Sequence, residues 1–362
     1  MINVTQPFLA SKEEYDEYLN GIWERNWLTN NGPLVKELEE KLKSHLELDH
    51  MAFLTNGTIA IQIAIKALGI KGEVITTPFS YVATTSSIVW ENCVPVYVDI
   101  DPETFNLDPS KIEAAITPKT EAILATHVYG NPCDIDAIDE IARKHNLKVI
   151  YDAAHCFGST YKGRSVYAFG DISTASFHAT KLFHTIEGGA VIANNVEASD
   201  KIQFLRNFGH NGPHIFEGVG INGKNSEFHA AMGLVNLKHI DAILERRKQK
   251  HAWYDHALEA ADLKKPKIGD SAGYNYSYYP VLFASEAHCV KVFDGLADHK
   301  IFARRYFYPS LSTLDYVDGE ECPVSDDVAS RILCLPLYDQ LSKEEIELVS
   351  STIVNLLSSA TL

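Results

Sequence analysis

Four short segments of this 362-residue chain hold residue types that do chemistry. In Ser176-Phe177-His178-Ala179-Thr180-Lys181, followed by Glu187-Gly188-Gly189, a lysine lies just past a short apolar run in a Ser/Thr-rich neighbourhood. Burial lowers an amine's pKa, and the neutral amine is the nucleophile of Schiff-base chemistry. The plain alternative is a solvated surface lysine. In Val149-Ile150-Tyr151-Asp152-Ala153-Ala154-His155 an aspartate ends a run that reads as buried strand. A carboxylate there is costly unless paired. A pyridinium N–H would pair it, and a helix N-cap or a metal ligand are the blander readings. Thr55-Asn56-Gly57-Thr58 opens a helical stretch, Ile59–Leu68, whose N-terminal amides suit a phosphate. Pro78-Phe79-Ser80-Tyr81-Val82-Ala83-Thr84 follows a strand and offers Tyr81 as a stacking ring or as core.

The elements that position these segments alternate. Apolar stripes predict helices near Glu13–Asn26, Pro33–Leu46 and Asp134–His145. Short apolar runs predict strands at 53–54, 73–76, 94–98, 122–127, 148–151, 173–177 and 190–193. Near-continuous apolar strands separated by helices imply a mostly parallel sheet covered on both faces. In such sheets ligands sit beyond the carboxyl ends of the strands. A long charged helix over Ala242–Ala261 changes the texture. After it come a tyrosine-rich strand Tyr274–Phe283 and helices near Ala287–Ala297 and Lys343–Leu357. The expected organisation is a large α/β domain over residues 1–240 and a small α+β domain over 241–362.

Lys+Arg number 32 against 48 Asp+Glu, a net charge of −16. That excludes a general nucleic-acid binder, which needs a basic face. Hydrophobic residues at 46% and charged residues at 22% imply a sizeable core rather than disorder. Six cysteines are scattered without C-x-x-C or zinc-ligand spacing, which reads as reduced thiols in the cytoplasm and no metal. The N-terminus lacks signal-peptide character, and no apolar run reaches bilayer length.

Taken in order, the phosphate seat, stacking aromatic, strand-end Asp and Ser-x-x-x-x-Lys resemble the fold-type I enzymes that depend on pyridoxal 5′-phosphate. More narrowly, the chain resembles the DegT/DnrJ/EryC1/StrS sugar aminotransferases. The resemblance is carried by Trp27-Leu28-Thr29-Asn30-Asn31-Gly32-Pro33, Asn56-Gly57-Thr58, Pro95–Asp101, Ala114–Pro118, His127–Pro132, Asp152–His155, and Ser176–Lys181 with Glu187-Gly188-Gly189. It runs from about Asn3 to the last helix.

The resemblance implies roles. Lys181 would form the Schiff base and shuttle the proton, and Asp152 would pair with the pyridinium nitrogen. His155 would sit by the phenolic O3′, and Tyr81 would stack on the ring. Gly57, Thr58 and Ser176 would hold the phosphate. Asn222, in Gly220-Ile221-Asn222-Gly223-Lys224-Asn225, would reach the phosphate across a homodimer interface, with Lys224 beside it at the substrate. Arg304, Arg305, Tyr306 and Tyr308 would meet the nucleotide sugar or the carboxylate of glutamate. The implied reaction moves the amino group of L-glutamate, through the pyridoxamine form, to a dTDP-4-keto-6-deoxyhexose for surface polysaccharide such as O-antigen. Relatives acting on 3-keto sugars, cofactor-sharing dehydratases and non-catalytic regulators are the alternatives; the dehydratases carry His where Lys181 stands.

Gly218-Val219-Gly220-Ile221-Asn222-Gly223-Lys224 also matches G-x-x-x-x-G-K. Asn225 follows where a magnesium-binding Ser/Thr is required, and no clear strand precedes it, so a nucleotide P-loop is rejected.

Overall fold

The computed structural model describes residues 1–317, 319 and 321–358. Its strands, in chain order, are β1 (Met51–Leu54), β2 (Glu73–Thr76), β3 (Val94–Tyr97), β4 (Thr120–Thr126), β5 (Lys148–Asp152), β6 (Thr160–Tyr161), β7 (Arg164–Ser165), β8 (Ile172–Ser176), β9 (Gly189–Ala193), β10 (Ala272–Gly273), β11 (Tyr279–Leu282) and β12 (Ile332–Leu335). Seven of them form one sheet in the order β1-β9-β8-β5-β4-β2-β3. The pairs β2/β3, β2/β4, β4/β5 and β5/β8 are parallel.

Alternate strand residues feed two cores. Ile75, Ile123 and Val149 point to one face, with Leu38, Phe53 and Leu234. Val74, Leu124 and Ile150 point to the other, with Ile63, Ala64 and Val191. Burial on both faces is why these strands read as unbroken apolar runs. One strand departs from the parallel rule: β9 runs antiparallel to both β1 and β8. The segment between β8 and β9 contains no helix to carry a parallel crossover, so the chain turns back on itself. That return puts the Lys181 loop at the carboxyl end of β8.

Toward the C-terminus, β11 and β12 pair antiparallel. They share a third core with the helices Ile240–Ala257, Glu286–Asp298 and Lys343–Ser358. Ile2 forms a parallel bridge with Ile301, so the N-terminus also packs here. Asp99, just past β3, reaches across to the helix Pro323–Arg331. Its carboxylate accepts from the amides of Val324 (2.9 Å) and Ser325 (2.8 Å) and from the Ser325 hydroxyl (2.8 Å).

Two sequence expectations are corrected. The tyrosine-rich stretch is not one strand from Tyr274 to Phe283, because residues between β10 and β11 leave the sheet. The Asn275 side chain donates to the carbonyls of His155 (2.8 Å) and Phe157 (2.9 Å), and the Ser277 hydroxyl also donates to His155 (2.9 Å). These bonds draw the segment over the end of β5. The long charged helix spans Ile240–Ala257 rather than running to Ala261. Lys162 and Gly163 both adopt positive φ in the tight turn joining β6 to β7, as a two-residue hairpin requires.

Candidate active site

The parallel strands end at a cavity of about 390 Å³. Its lining includes Gly57, Thr58, Tyr81, Asp152, His155, Ser176, Lys181, Arg304 and Tyr306, which the sequence had spread over some 250 residues.

The segment expected to seat a phosphate opens the helix Gly57–Ala67. Asn56 caps it, its side-chain oxygen accepting from the Ile59 amide at 2.9 Å. The amides of Gly57 and Thr58 are at positions that no intrahelical carbonyl serves, and they open on the cavity with the helix dipole behind them. Ser176, the last residue of β8, stands opposite. A Cβ at Gly57 would come within 3.0 Å of the Ser176 Cβ, so glycine keeps the cradle open.

Asp152 ends β5 and is buried. Its Oδ2 accepts from the Thr84 hydroxyl at 2.7 Å and its Oδ1 from the Ala154 amide at 3.1 Å. Burial pushes its pKa up, against the pull of those two bonds and of the Lys181 charge. Lys181 faces it across the cavity. Burial takes the Lys181 amine down to about 8, with the Arg304 charge pushing the same way and Asp152 opposing. A lysine so poised has a large neutral fraction near pH 8, which Schiff-base chemistry needs.

His155 receives the Tyr129 amide at Nδ1 (3.3 Å), so the neutral ring carries its proton on Nε2, 3.2 Å from the Tyr306 hydroxyl. Burial, first, and then the charges of Lys181 and Arg304 hold the ring neutral by lowering its pKa. Phe307 stacks on it at 5.5 Å between centroids. Tyr81 is half exposed at the cavity edge, 6.3 Å from the Tyr306 ring. Arg304 lies over the Tyr306 ring at 4.5 Å and makes no ion pair among the described residues.

Not every expected residue lines this cavity. Arg305, next to Arg304 in sequence, points the other way. It pairs with Glu286 at 2.9 Å, bonds the Ser330 carbonyl and covers the Tyr308 ring at 3.4 Å. Arg305 and Tyr308 are therefore placed outside the cavity, because Glu286 and the Ser330 carbonyl satisfy the guanidinium elsewhere. Asn222 and Lys224 lie outside this cavity too. Lys224 donates to the Asn222 side-chain oxygen at 2.9 Å and covers the Phe208 ring at 4.4 Å. The P-loop-like stretch is a loop, and the helix after it begins only at Glu227, capped by Ser226.

The chain's residues 10–354 match the model of the DegT/DnrJ/EryC1/StrS aminotransferase family. The chain belongs to this family. A dTDP-4-amino-4,6-dideoxy-D-glucose transaminase of Shigella dysenteriae is 46% identical, over 97% of this chain and 98% of that protein. The crystal structure of DesI in the presence of its TDP-sugar product superposes with a TM-score of 0.93 at 32% identity, covering 99% of this chain and 93% of that one. Spr1654 of Streptococcus pneumoniae, in its PLP form, gives a TM-score of 0.91 at 25% identity, covering 98% of each chain. The protein is thus a sugar aminotransferase by family, with the fold of that family's enzymes.

Sequence reasoning missed several residues of the cavity. Ser80 and Thr126 line it beside Thr84's bond to Asp152, and His178 and Glu187 stand at its mouth with His178 Nε2 3.5 Å from the carboxylate. Glu187 and His178 were visible as motif letters with no assigned task. The hydroxyl density of Ser80 and Thr84 was the one available signal for the floor, and Thr126 had none. Among the described residues no group of three His, Cys, Asp or Glu is placed to hold a metal ion, and no helix is long and apolar enough to cross a membrane.

Proposed function

We propose that this chain is a pyridoxal 5′-phosphate-dependent nucleotide-sugar aminotransferase. It transfers the amino group of L-glutamate to a dTDP-4-keto-6-deoxyhexose, releasing 2-oxoglutarate and a dTDP-4-amino-4,6-dideoxyhexose. The product serves surface polysaccharide, and the enzyme works in the cytoplasm as a homodimer. The observation that carries the chemistry is one cavity holding a buried carboxylate, a lysine lowered to about 8 and a glycine-lined helix N-terminus. Full-length likeness to a dTDP-4-amino-4,6-dideoxy-D-glucose transaminase supports the choice of sugar.

The cavity's donors suit the cofactor. The amides of Gly57 and Thr58 with the Ser176 hydroxyl would take the phosphate dianion. The buried Asp152 would accept from the ring N–H, and Tyr81 would cover the ring. When bound, the cofactor supplies an electron sink that loosens the proton on the carbon carrying the amine. The Lys181 Nζ, neutral in a useful fraction, would take that proton and hold it for return. His155, neutral with its proton on Nε2, donates rather than accepts at the cavity. Arg304, exposed and without an ion pair among the described residues, would meet an anionic group of the substrate.

Two copies would complete the site. The arm after Arg206 exposes Phe208, Ile215, Phe216, Val219 and Ile221, an apolar surface a second copy would cover. Asn222 on that arm, steadied by Lys224, would then reach the partner's phosphate seat.

Incubation with L-glutamate and either dTDP-4-keto-6-deoxyglucose or its 3-keto isomer tests the reading, with products resolved by mass and NMR. Amination of the 4-keto sugar is expected. Turnover of the 3-keto sugar alone would move the assignment to C3. A yellow protein that does not bleach with glutamate would favour a regulatory member.

A further inference from the structure

Along the cavity floor lies a row of hydroxyls that no part of the mechanism above uses. The Thr84 Oγ1 stands 2.7 Å from Asp152 Oδ2 and 2.7 Å from the Ser80 Oγ. The Ser80 Oγ in turn stands 2.9 Å from the Thr126 Oγ1. All four side chains are buried, Thr84 at 0% exposure and Ser80 at 1%. They come from four places: the helix Val82–Trp90, the loop before it, and the ends of β4 and β5.

Each hydroxyl has one proton, so the direction of the row is fixed by its end. A carboxylate only accepts. With Asp152 ionised, Thr84 donates to it, Ser80 donates to Thr84, and Thr126 donates to Ser80. Every proton then has an acceptor. With Asp152 protonated and donating, the row reverses and the Thr126 proton is left without a protein acceptor. The reversal exchanges a charge-assisted bond for a neutral one and sends the last proton into the cavity, whereas hydroxyls aligned on a carboxylate reinforce one another. The row therefore favours the ionised aspartate at a place where burial works against it. It also braces the loop that carries Tyr81, because Ser80 precedes that residue.

We propose that Thr84, fed by Ser80 and Thr126, is a positioning residue that keeps Asp152 ionised and aimed at the ring nitrogen of the bound cofactor. The inference rests on the cofactor reading above.

The test compares Thr84→Val, which keeps the shape and removes the hydroxyl, with Thr84→Ser, which keeps the hydroxyl. Apo-protein is titrated with pyridoxal 5′-phosphate, and the 15N resonance of the ring nitrogen is read with labelled cofactor. Thr84→Val is expected to weaken binding by about 10-fold, the scale of one hydrogen bond to a charge, and to move the resonance toward that of the unprotonated ring. Thr84→Ser stays within about 3-fold of the parent, a difference small against that bond, and keeps its resonance. In an Asp152→Asn background Thr84→Val adds nothing further. If Thr84→Val does not fold, Ser80→Ala reads the same row one step back, with a smaller shift of the same sign. Parent-like affinity and resonance in Thr84→Val, or in Ser80→Ala where that variant stands in, overturns the inference. So does failure of serine to rescue, or an undiminished effect beside Asp152→Asn. A parent protein that does not bind the cofactor overturns the cofactor reading itself, and this inference with it.

Discussion

The floor and the rim of the cavity are built differently. On the floor, Asp152, Thr84, Ser80 and Thr126 are buried on strand ends, the first turn of a helix and the loop before it, and each is bonded to another of the set. On the rim, Tyr81, Glu187 and Arg304 are exposed and belong to loops or element edges. A buried, fully bonded floor holds a group of fixed shape and charge. An exposed rim with a cation free of ion pairs among the described residues suits an anionic guest that comes and goes. The contrast between two neighbours sharpens this. Arg304 has no ion pair among the described residues and lines the cavity, while Arg305 is bound to Glu286 and a carbonyl and serves packing.

The largest expected effect is at Lys181, which faces the floor across the cavity. Lys181→Ala should lower transamination by about 1,000-fold or more, on the scale of a lost acid–base group. It should also remove the absorbance near 410–430 nm, an approximate range for a protonated Schiff base of this cofactor. In the parent, the rate of cofactor capture should rise as pH climbs through about 8, because burial lowers the Lys181 amine to that value and only its neutral form attacks. A capture rate flat across that range would break the assignment.

The rim should answer differently. Arg304→Ala is expected to raise the KM for an anionic substrate by about 10-fold, one charge-assisted contact, with cofactor affinity unchanged. Arg305→Ala should leave KM within about 2-fold and cost about 1 kcal/mol of stability from its lost packing and bonds. Equal effects of the two variants on KM would erase the distinction between them.

A third region joins the floor to the C-terminal elements. Asp99 caps the helix Pro323–Arg331 from the far side of the chain. Burial raises its pKa, but the bonds from Val324, Ser325 and Ile100 outweigh it and hold the carboxyl below its ordinary value. A carboxyl lowered on folding contributes stability above its unfolded pKa, near 3.9. That contribution is lost as pH falls through the lower folded value. Asp99→Ala should cost about 2 kcal/mol at neutral pH, the scale of a lost cap, and flatten the acid limb of a denaturation profile. Its KM values should stay nearest the parent's.

The sequence exposed most of the floor and less of the rim, for a physical reason. Asp152 and Gly57-Thr58 each sit at the end of a regular element, where periodicity announces a boundary and the boundary residue stands out, and Lys181 follows the end of β8 within a recognisable motif. The sheet was legible from its apolar runs, apart from the reversal of β9, which depends on the segment before it lacking a helix. Arg304 and Arg305 could not be told apart, because their opposite directions depend on Glu286, some twenty residues away, and on the Ser330 carbonyl. Thr126 gave no signal, since a threonine closing a strand is ordinary until a serine from another element meets it. Tyr274–Tyr278 read as strand because aromatic residues favour sheets. Their departure is dictated by carbonyls at His155 and Phe157 that seek donors.

The central claim is that this cavity, through Lys181, passes an amino group to C4 of the sugar. The direct measurement is one incubation of the purified protein with 15N-labelled L-glutamate and dTDP-4-keto-6-deoxyglucose, followed by NMR of the product. The account predicts the label bonded to C4 of the hexose, with 2-oxoglutarate formed in equal amount. Label at C3, or 2-oxoglutarate accumulating with no label on the sugar, would contradict it.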